Sequence, residues 1–299
     1  MPLSLPPAAN ARVITVAAKR CRLEFAGGER VEAITRGKLL AEGLVVGDLV
    51  RAEQYREDWA VEEVLPRKNE FVREGLRHER QVLFANADRV LILASLSEPQ
   101  TKYAAIDRFL VAALIGNIPP LLVLTKTDLD PEKNLQNEVR DLYEAFDVPV
   151  FPVSNVSGEG IENVAAVLGD GITALVGNSG VGKTSLLNRL IPGLFLRVRE
   201  VSSWSGKGTH TTSAALLVRW SDSAAVVDTP GMKSFVPFGI TLESLADLFP
   251  DIVRHAADCR FRNCRHLAEP GCAVNAAAER GDLAPSRLRS YHRLMEGLR

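Results

Sequence analysis

The sequence predicts a multi-domain chain: an N-terminal β-barrel, a central α/β domain on a mostly parallel sheet, and a mostly helical C-terminal segment. Three observations predict it. Short alternating runs fill the first 68 residues, buried strand-like runs alternate with helix-like segments from residue 87, and three of the four cysteines crowd into 259–272.

The runs ARVITVAA (11–18), CRLEFAG (21–27), ERVEAITR (29–36) and GLVVGDLVRAE (43–53) are separated by turn residues such as Gly27-Gly28 and Gly47-Asp48. Short strands at this spacing suit a small barrel of the OB type. The stretch 66–79 (PRKNEFVREGLRHE) is polar and charged and reads as a linker. Beyond it, RVLILASL, PPLLVLTK, VPVFPVS, GITALVG and AAVVDTPG read as buried strands. Between them, YAAIDRFLVAALIG, EKNLQNEVRDLYEAF and KTSLLNRL read as helices, an alternation that builds a parallel sheet. Domain limits are expected at 1–68, 69–238 and 239–299.

Composition narrows the class. With 46% hydrophobic and 24% charged residues the chain is an ordinary globular one. No apolar run reaches the ~20 residues of a membrane span, and the start MPLSLPPAANARV lacks a secretory signal's basic flank. A cytoplasmic protein that makes no membrane contact is expected. The net charge of −1 advertises no nucleic-acid partner. Residues 254–299, however, carry nine arginines, no lysine and five acidic residues, which suits a solvated helix face or RNA contact equally.

Gly177-Asn178-Ser179-Gly180-Val181-Gly182-Lys183-Thr184 fits GxxxxGK[ST], behind the strand ITALV and ahead of the helix TSLLNRL. In that setting backbone N–H groups from Gly177 to Ser185 cradle phosphates, Lys183 reaches the terminal ones and Thr184 ligates Mg2+. Asp228-Thr229-Pro230-Gly231 ends the strand AAVVD. Asp228 can hold magnesium through water, and Gly231 can offer its N–H to a terminal phosphate. Thr125-Lys126-Thr127-Asp128 resembles the guanine-recognition motif NKxD, with Asp128 accepting from the ring N–H and exocyclic amine and the Lys126 stem lying along the base. Thr125 stands where the motif has Asn; its hydroxyl can replace part of the Asn contacts. Ser154-Asn155-Val156-Ser157-Gly158 fits the loop whose backbone meets the guanine oxygen.

The base motif and the Ser154 loop precede the phosphate loop, whereas ordinary GTPases run the other way. All motifs are present, each behind its own strand, in cyclically permuted order. A GTP/GDP-binding P-loop domain with circularly permuted motifs follows.

Cys259-x4-Cys264-x-His266-x5-Cys272 supplies three thiolates and an imidazole, the set for one closed, structural, tetrahedral Zn2+ site per chain. Cys21 has no partner in sequence and reads as a core residue.

The chain resembles the RsgA (YjeQ) family of circularly permuted ribosome-assembly GTPases. The likeness covers VVGDLVRAE, RKNEFVR, ANADRVLIL, GNSGVGKTSLLN, GKGTHTT, DTPGM and, most specifically, CRFRNCRHLAEPGCAV. It implies an OB-fold, a GTPase domain and a C-terminal zinc domain. It also implies GTP hydrolysis stimulated by the small (30S) ribosomal subunit during late maturation, with that subunit and its rRNA as partners; a monomer is expected.

In the glycine-rich stretch 205–212, Thr211 or Thr212 is expected to reach magnesium. Met232 follows DTPG where many small GTPases have a water-orienting glutamine, so His210 is the catalytic candidate, the alternative being a loop histidine without a role. Two other readings compete. One is a GTP-dependent RNA- or ribosome-binding switch with negligible hydrolysis, which turnover separates. The other is a P-loop kinase, which predicts no guanine preference.

Overall fold

The computed structural model describes residues 3–18, 20–35, 43–144, 147–191, 215–232 and 235–297. His210, Thr211 and Thr212 lie outside the described residues, as does the rest of 205–212.

Five strands form the N-terminal barrel: β1 (Ala11–Ala17), β2 (Arg20–Phe25), β3 (Arg30–Thr35), β4 (Leu49–Tyr55) and β5 (Asp58–Val64). Their order is β1-β2-β3-β5-β4, closed by a β1–β4 pairing, with β3 and β5 parallel. β5 escaped the sequence reading because DWAVEEV carries three acidic residues without strict alternation and only Ala60 and Val61 are buried. Inside sit Ala11, Val13, Cys21, Leu23, Ala33, Val50 and Val61. β1 carries a bulge between Val13 and Thr15. Ile14, next to the inward Val13, faces the core of the central domain, and the extra residue shifts the two-residue side-chain period so that Val16, not Thr15, turns back to the barrel. Thr15 then pairs with Leu216 and ties the barrel to the central sheet.

Residues 66–79 are not a free linker. β6 (Glu70–Glu74) and β7 (Arg80–Ala85) form an antiparallel hairpin. The buried Phe71 stacks on Phe84 at 5.0 Å, while the charged residues pair across the outer face, as Arg80 does with Glu70. Charge balance by cross-strand pairs hid the hairpin behind a polar composition.

The central sheet runs β10 (Val150–Pro152), β9 (Pro120–Thr125), β8 (Arg89–Ser95), β11 (Gly171–Gly177), β13 (Ala224–Asp228), β12 (Leu216–Arg219). All pairings are parallel except β12–β13. Helices α1 (Tyr103–Ile115) and α2 (Asn134–Glu144) cover one face; α3 (Ile161–Val167) and α4 (Lys183–Leu190) cover the other. Alternate residues of β8 serve the two cores: Val90, Ile92 and Ala94 face α1, Leu91 and Leu93 face α4. A sheet buried on both sides explains the unbroken apolar runs.

The C-terminal part is helical: α5 (Pro250–Ala256), α6 (Ala273–Arg280) and α7 (Pro285–Gly297). Leu245, Phe249, Ile252, Val274, Ala277, Tyr291 and Met295 form its core, to which α1 contributes Val111. Arg287 of α7 is buried between Asp107 of α1 and Asp251 of α5, donating to both. Burial opposes its charge, but the two carboxylates more than offset that and hold Arg287 above the usual guanidinium range. No described helix is long and apolar enough to cross a membrane.

Candidate functional site

The parallel register brings the predicted motifs to one edge. Ser95 pairs with Thr125, Leu93 with Gly177, Leu124 with Pro152 and Leu175 with Asp228, so β8, β9, β10, β11 and β13 all end together. Ligands of open α/β sheets bind at such carboxyl ends.

The glycine loop follows β11 and opens α4, as its sequence requires. Gly182 has φ +95°, and a Cβ there would lie 3.2 Å from the Asn155 side-chain nitrogen, so any larger residue is strained and crowded. Lys183 is buried and its ammonium donates to the carbonyls of Gly177 (2.7 Å) and Asn178 (2.9 Å). Burial lowers the Lys183 pKa, and Asp228 partly offsets it. Burial raises the Asp228 carboxyl above its ordinary value, with Lys183 pulling the other way. Thr184 and Ser185 are exposed at the start of α4.

The DTPG turn lies directly on this loop. Met232 N–H donates to the Gly177 carbonyl at 3.2 Å. A Cβ on Gly231 would come within 3.0 Å of the Ser179 Cα, so only glycine permits this approach. Thr229 is anchored through its hydroxyl to the Leu175 carbonyl.

Thr125 is fully buried, and its hydroxyl donates to the Val181 carbonyl at 2.7 Å. The hydroxyl therefore supplies the tie between base motif and phosphate loop. Lys126 adopts φ +62° and donates to the Glu98 carbonyl, while Thr127 is buried and Asp128 exposed. The buried Ser154 hydroxyl donates to Asp128 Oδ1 at 2.6 Å and accepts from the N–H groups of Val156 (3.2 Å) and Ser157 (3.1 Å). One hydroxyl thus fixes the carboxylate and the loop's turn together.

Sequence reasoning missed Arg189. From the last turn of α4 it donates to the carbonyls of Asn155 (3.1 Å) and Val156 (2.9 Å), clamping the Ser154 loop to the phosphate-loop helix. Those partners lie more than thirty residues away, and no local pattern announces them.

The second cluster also assembles. The ligand atoms of Cys259, Cys264, His266 and Cys272 lie within 4.8 Å of one another. His266 Nδ1 stands 3.5 Å from the Cys259 sulfur and 3.6 Å from that of Cys272. Burial lowers the His266 pKa, favouring the neutral imidazole that metals bind. Around the cluster, Glu269 accepts from the N–H groups of Arg265, Leu267 and Ala268, and the Asn275 N–H points at the Cys272 sulfur. Four soft and borderline donors this close could hold a metal ion.

Comparison with known proteins agrees. The pattern of the family described as RsgA GTPase matches residues 64–237. A protein of Chlorobaculum parvum named small ribosomal subunit biogenesis GTPase RsgA is 36% identical over 271 residues, spanning 91% of this chain and 84% of the relative. The crystal structure of YjeQ from Thermotoga maritima superposes with a TM-score of 0.74 at 29% identity, covering 97% of this chain and 98% of the other. That of YloQ, described as a circularly permuted GTPase, gives 0.69 at 26% identity, covering 96% and 94%.

Proposed function

This chain belongs to the RsgA GTPase family, and from that membership we propose that it hydrolyses GTP in the late maturation of the small ribosomal subunit, with turnover stimulated by the subunit. The observation that carries the reading is the wiring of the sheet edge: Thr125 bonds the phosphate loop, and Ser154 bonds Asp128. Such wiring serves a ligand that spans base and phosphates.

In this reading Asp128 accepts two hydrogen bonds from guanine, which adenine cannot offer, and the Lys126 stem lies along the base. Thr125, Thr127 and Ser154 hold that motif in place. Backbone N–H groups of Gly177, Asn178, Ser179, Gly180, Val181, Gly182, Lys183, Thr184 and Ser185 take the phosphates, with Gly231 at the terminal one. Lys183 exchanges its two carbonyl partners for phosphate oxygens, which add to Asp228 in offsetting its burial. Thr184, Asp228 (through water) and Thr211 or Thr212 hold magnesium, which when bound neutralises developing phosphate charge. Met232 cannot orient water, so His210 is our candidate for that task.

Cys259, Cys264, His266 and Cys272 hold one structural zinc, which supplies a covalent staple for a segment with little core of its own. The partners are the subunit and its rRNA, the place of work is the cytoplasm, and the protein acts as a monomer. Functional units of 1–68, 69–238 and 239–299 are proposed, the β6–β7 hairpin belonging with the second.

The test is GTP hydrolysis with and without purified small subunits, with ATP as control. Stimulation specific to GTP supports the reading. Unchanged turnover with the subunit still bound favours a GTP-dependent binding switch. No binding removes the subunit as partner.

A further inference from the structure

Beside the nucleotide edge, on the α1 face of the sheet, a cleft of about 270 Å³ opens between the central domain and α7. Its floor is apolar, formed by Leu96, Ile106, Leu124, Leu135 and Val139. Its rim is basic: Lys102 from the start of α1, Arg289 and Arg293 from α7. Arg108, one turn into α1, lies near Arg293; burial lowers its pKa and Arg293 lowers it further. Its Nε is buried without a hydrogen-bond partner. No described carboxylate pairs with any of these four cations. Two carboxylates stand by the lining and both are engaged, Glu138 by the Tyr103 hydroxyl at 2.7 Å and Asp107 by Arg287, Tyr143 and Ser290.

Two helices also start here. Tyr103 of α1 and Ser286 of α7 both line the cleft. Both helices run 13 residues, neither has an acidic residue in its first turn, and Lys102 caps α1 without a side-chain bond. Helix N-termini carry partial positive charge, normally met by an acidic side chain or an anion. Lys102 at one such end, with Arg289 and Arg293 from the second and third turns of α7, forms a cluster of like charge without an ion-pair partner among the described residues, which raises the electrostatic energy of the free protein. An anion relieves it. The apolar floor beside the cations adds a second requirement: the anion should carry a flat, weakly polar group.

We propose that this cleft binds a nucleoside phosphate unit, its phosphate between Lys102, Arg289 and Arg293 and its ring system over Leu96, Ile106 and Leu135. A free mononucleotide and a single-stranded RNA segment present that same chemistry. The site is distinct from the guanine edge and goes beyond the function proposed above, although the two share a wall. The loop 96–101 places Gln100 and Thr101 in the cleft, gives its Glu98 carbonyl to Lys126 and rests Pro99 near Gly180.

The experiment uses the full chain saturated with GDP, so that the phosphate loop is filled. Calorimetric titrations are made with adenosine monophosphate and, separately, with a short oligoadenylate RNA. Two variants are compared, Lys102→Gln on α1 and the double R289S/R293S on α7, each first shown to bind GDP like the parent. Saturable binding of either probe, weakened at least about tenfold in both variants, supports the site. Adenosine monophosphate binding identifies free nucleotide as a ligand; oligoadenylate binding alone identifies RNA. Absence of binding by both probes, or binding that the variants leave unchanged, overturns it. Because GDP binding is scored separately, failure here is distinct from failure of the guanine reading.

Discussion

Replacing Thr125 by valine removes one hydroxyl from the base motif and changes almost nothing else. The two side chains match in shape, so no cavity opens. The lost bond is the 2.7 Å contact to the Val181 carbonyl, between a residue with no exposure and one with 1%. A buried acceptor deprived of its donor costs ~1–3 kcal/mol. Thr125 precedes Lys126 and Val181 precedes Gly182, so the bond sets the spacing between base and phosphate contacts. GDP bridges both, and most of the loss should appear in its affinity: about 5- to 150-fold at 1.4 kcal/mol per decade. The assay is displacement of a fluorescent GDP analogue at saturating magnesium, with thermal melts of the nucleotide-free protein beside it. Thr125→Asn should retain much of the affinity, because its amide can reach the same carbonyl. Wild-type GDP affinity in Thr125→Val, with a lowered melting temperature, would refute the argument by showing the bond to be only a packing feature.

Four further outcomes are expected. Asp128→Asn should lower GTP affinity roughly 10²–10⁴-fold, by loss of two bonds to a charged acceptor, and shift preference to xanthine nucleotides; unchanged guanine preference in competition binding contradicts base recognition. Arg189→Ala should weaken GDP binding about tenfold with little change in melting, since its two bonds hold a loop and not the core; equal affinity leaves Arg189 without a positioning role. Chelation should expose Cys259, Cys264 and Cys272 to alkylation while Cys21, fully buried in the barrel core, stays unmodified until denaturation. Mass spectrometry showing early Cys21 labelling, or none at the other three, contradicts this. Arg287→Met should cost about 3–5 kcal/mol in urea unfolding, because Asp107 and Asp251 stay buried without their cation. Burial raises the Asp107 carboxyl in the fold, so the folded variant takes up a proton more readily than the unfolded chain. Its deficit should therefore shrink as pH falls toward the carboxylate range and be full above it; a deficit constant with pH argues against a buried charge.

The motifs were legible because each couples a local pattern to an apolar strand: LLVLT before Lys126, ITALV before the glycine loop, AAVVD before the Thr-Pro-Gly turn. Burial on both faces of the sheet writes those runs into the sequence. The cysteine cluster was legible because its donors are close along the chain. What escaped depends on distant partners. β6 and β7 read as linker because Phe71 needs Phe84 to form a core, and their charges cancel across the hairpin. The bulge that turns Val16 instead of Thr15 into the barrel is a registration effect, invisible until β1 has partners. Arg287 was one of nine arginines read as solvated or RNA-facing. It is instead buried, and its carboxylates come from α1 and α5, the former 180 residues upstream.

Those distant contacts decide what the permutation does. The DTPG turn is pinned to the phosphate loop by Met232 and Gly231. Three residues on, Phe235 lies against both Phe71 of the hairpin (5.4 Å) and Phe109 of α1 (4.7 Å). Val236 then accepts from the Glu74 N–H, and Pro237 bridges to Arg73. The chain leaving the nucleotide edge is thus fastened to two elements before it enters the C-terminal core. One of them, α1, is the helix whose Asp107 engages Arg287. Phe235 thus couples this segment to both elements through packed aromatic contacts. Close-packed aromatic contacts and a buried ion network deform little. Displacement of Phe235 must therefore either strain these contacts or carry the hairpin, α1 and the C-terminal helices together. In an unpermuted domain the base motif would follow this turn. Here the segment of Cys259, Cys264, His266 and Cys272 does, behind the contacts of Phe235 with the hairpin and α1.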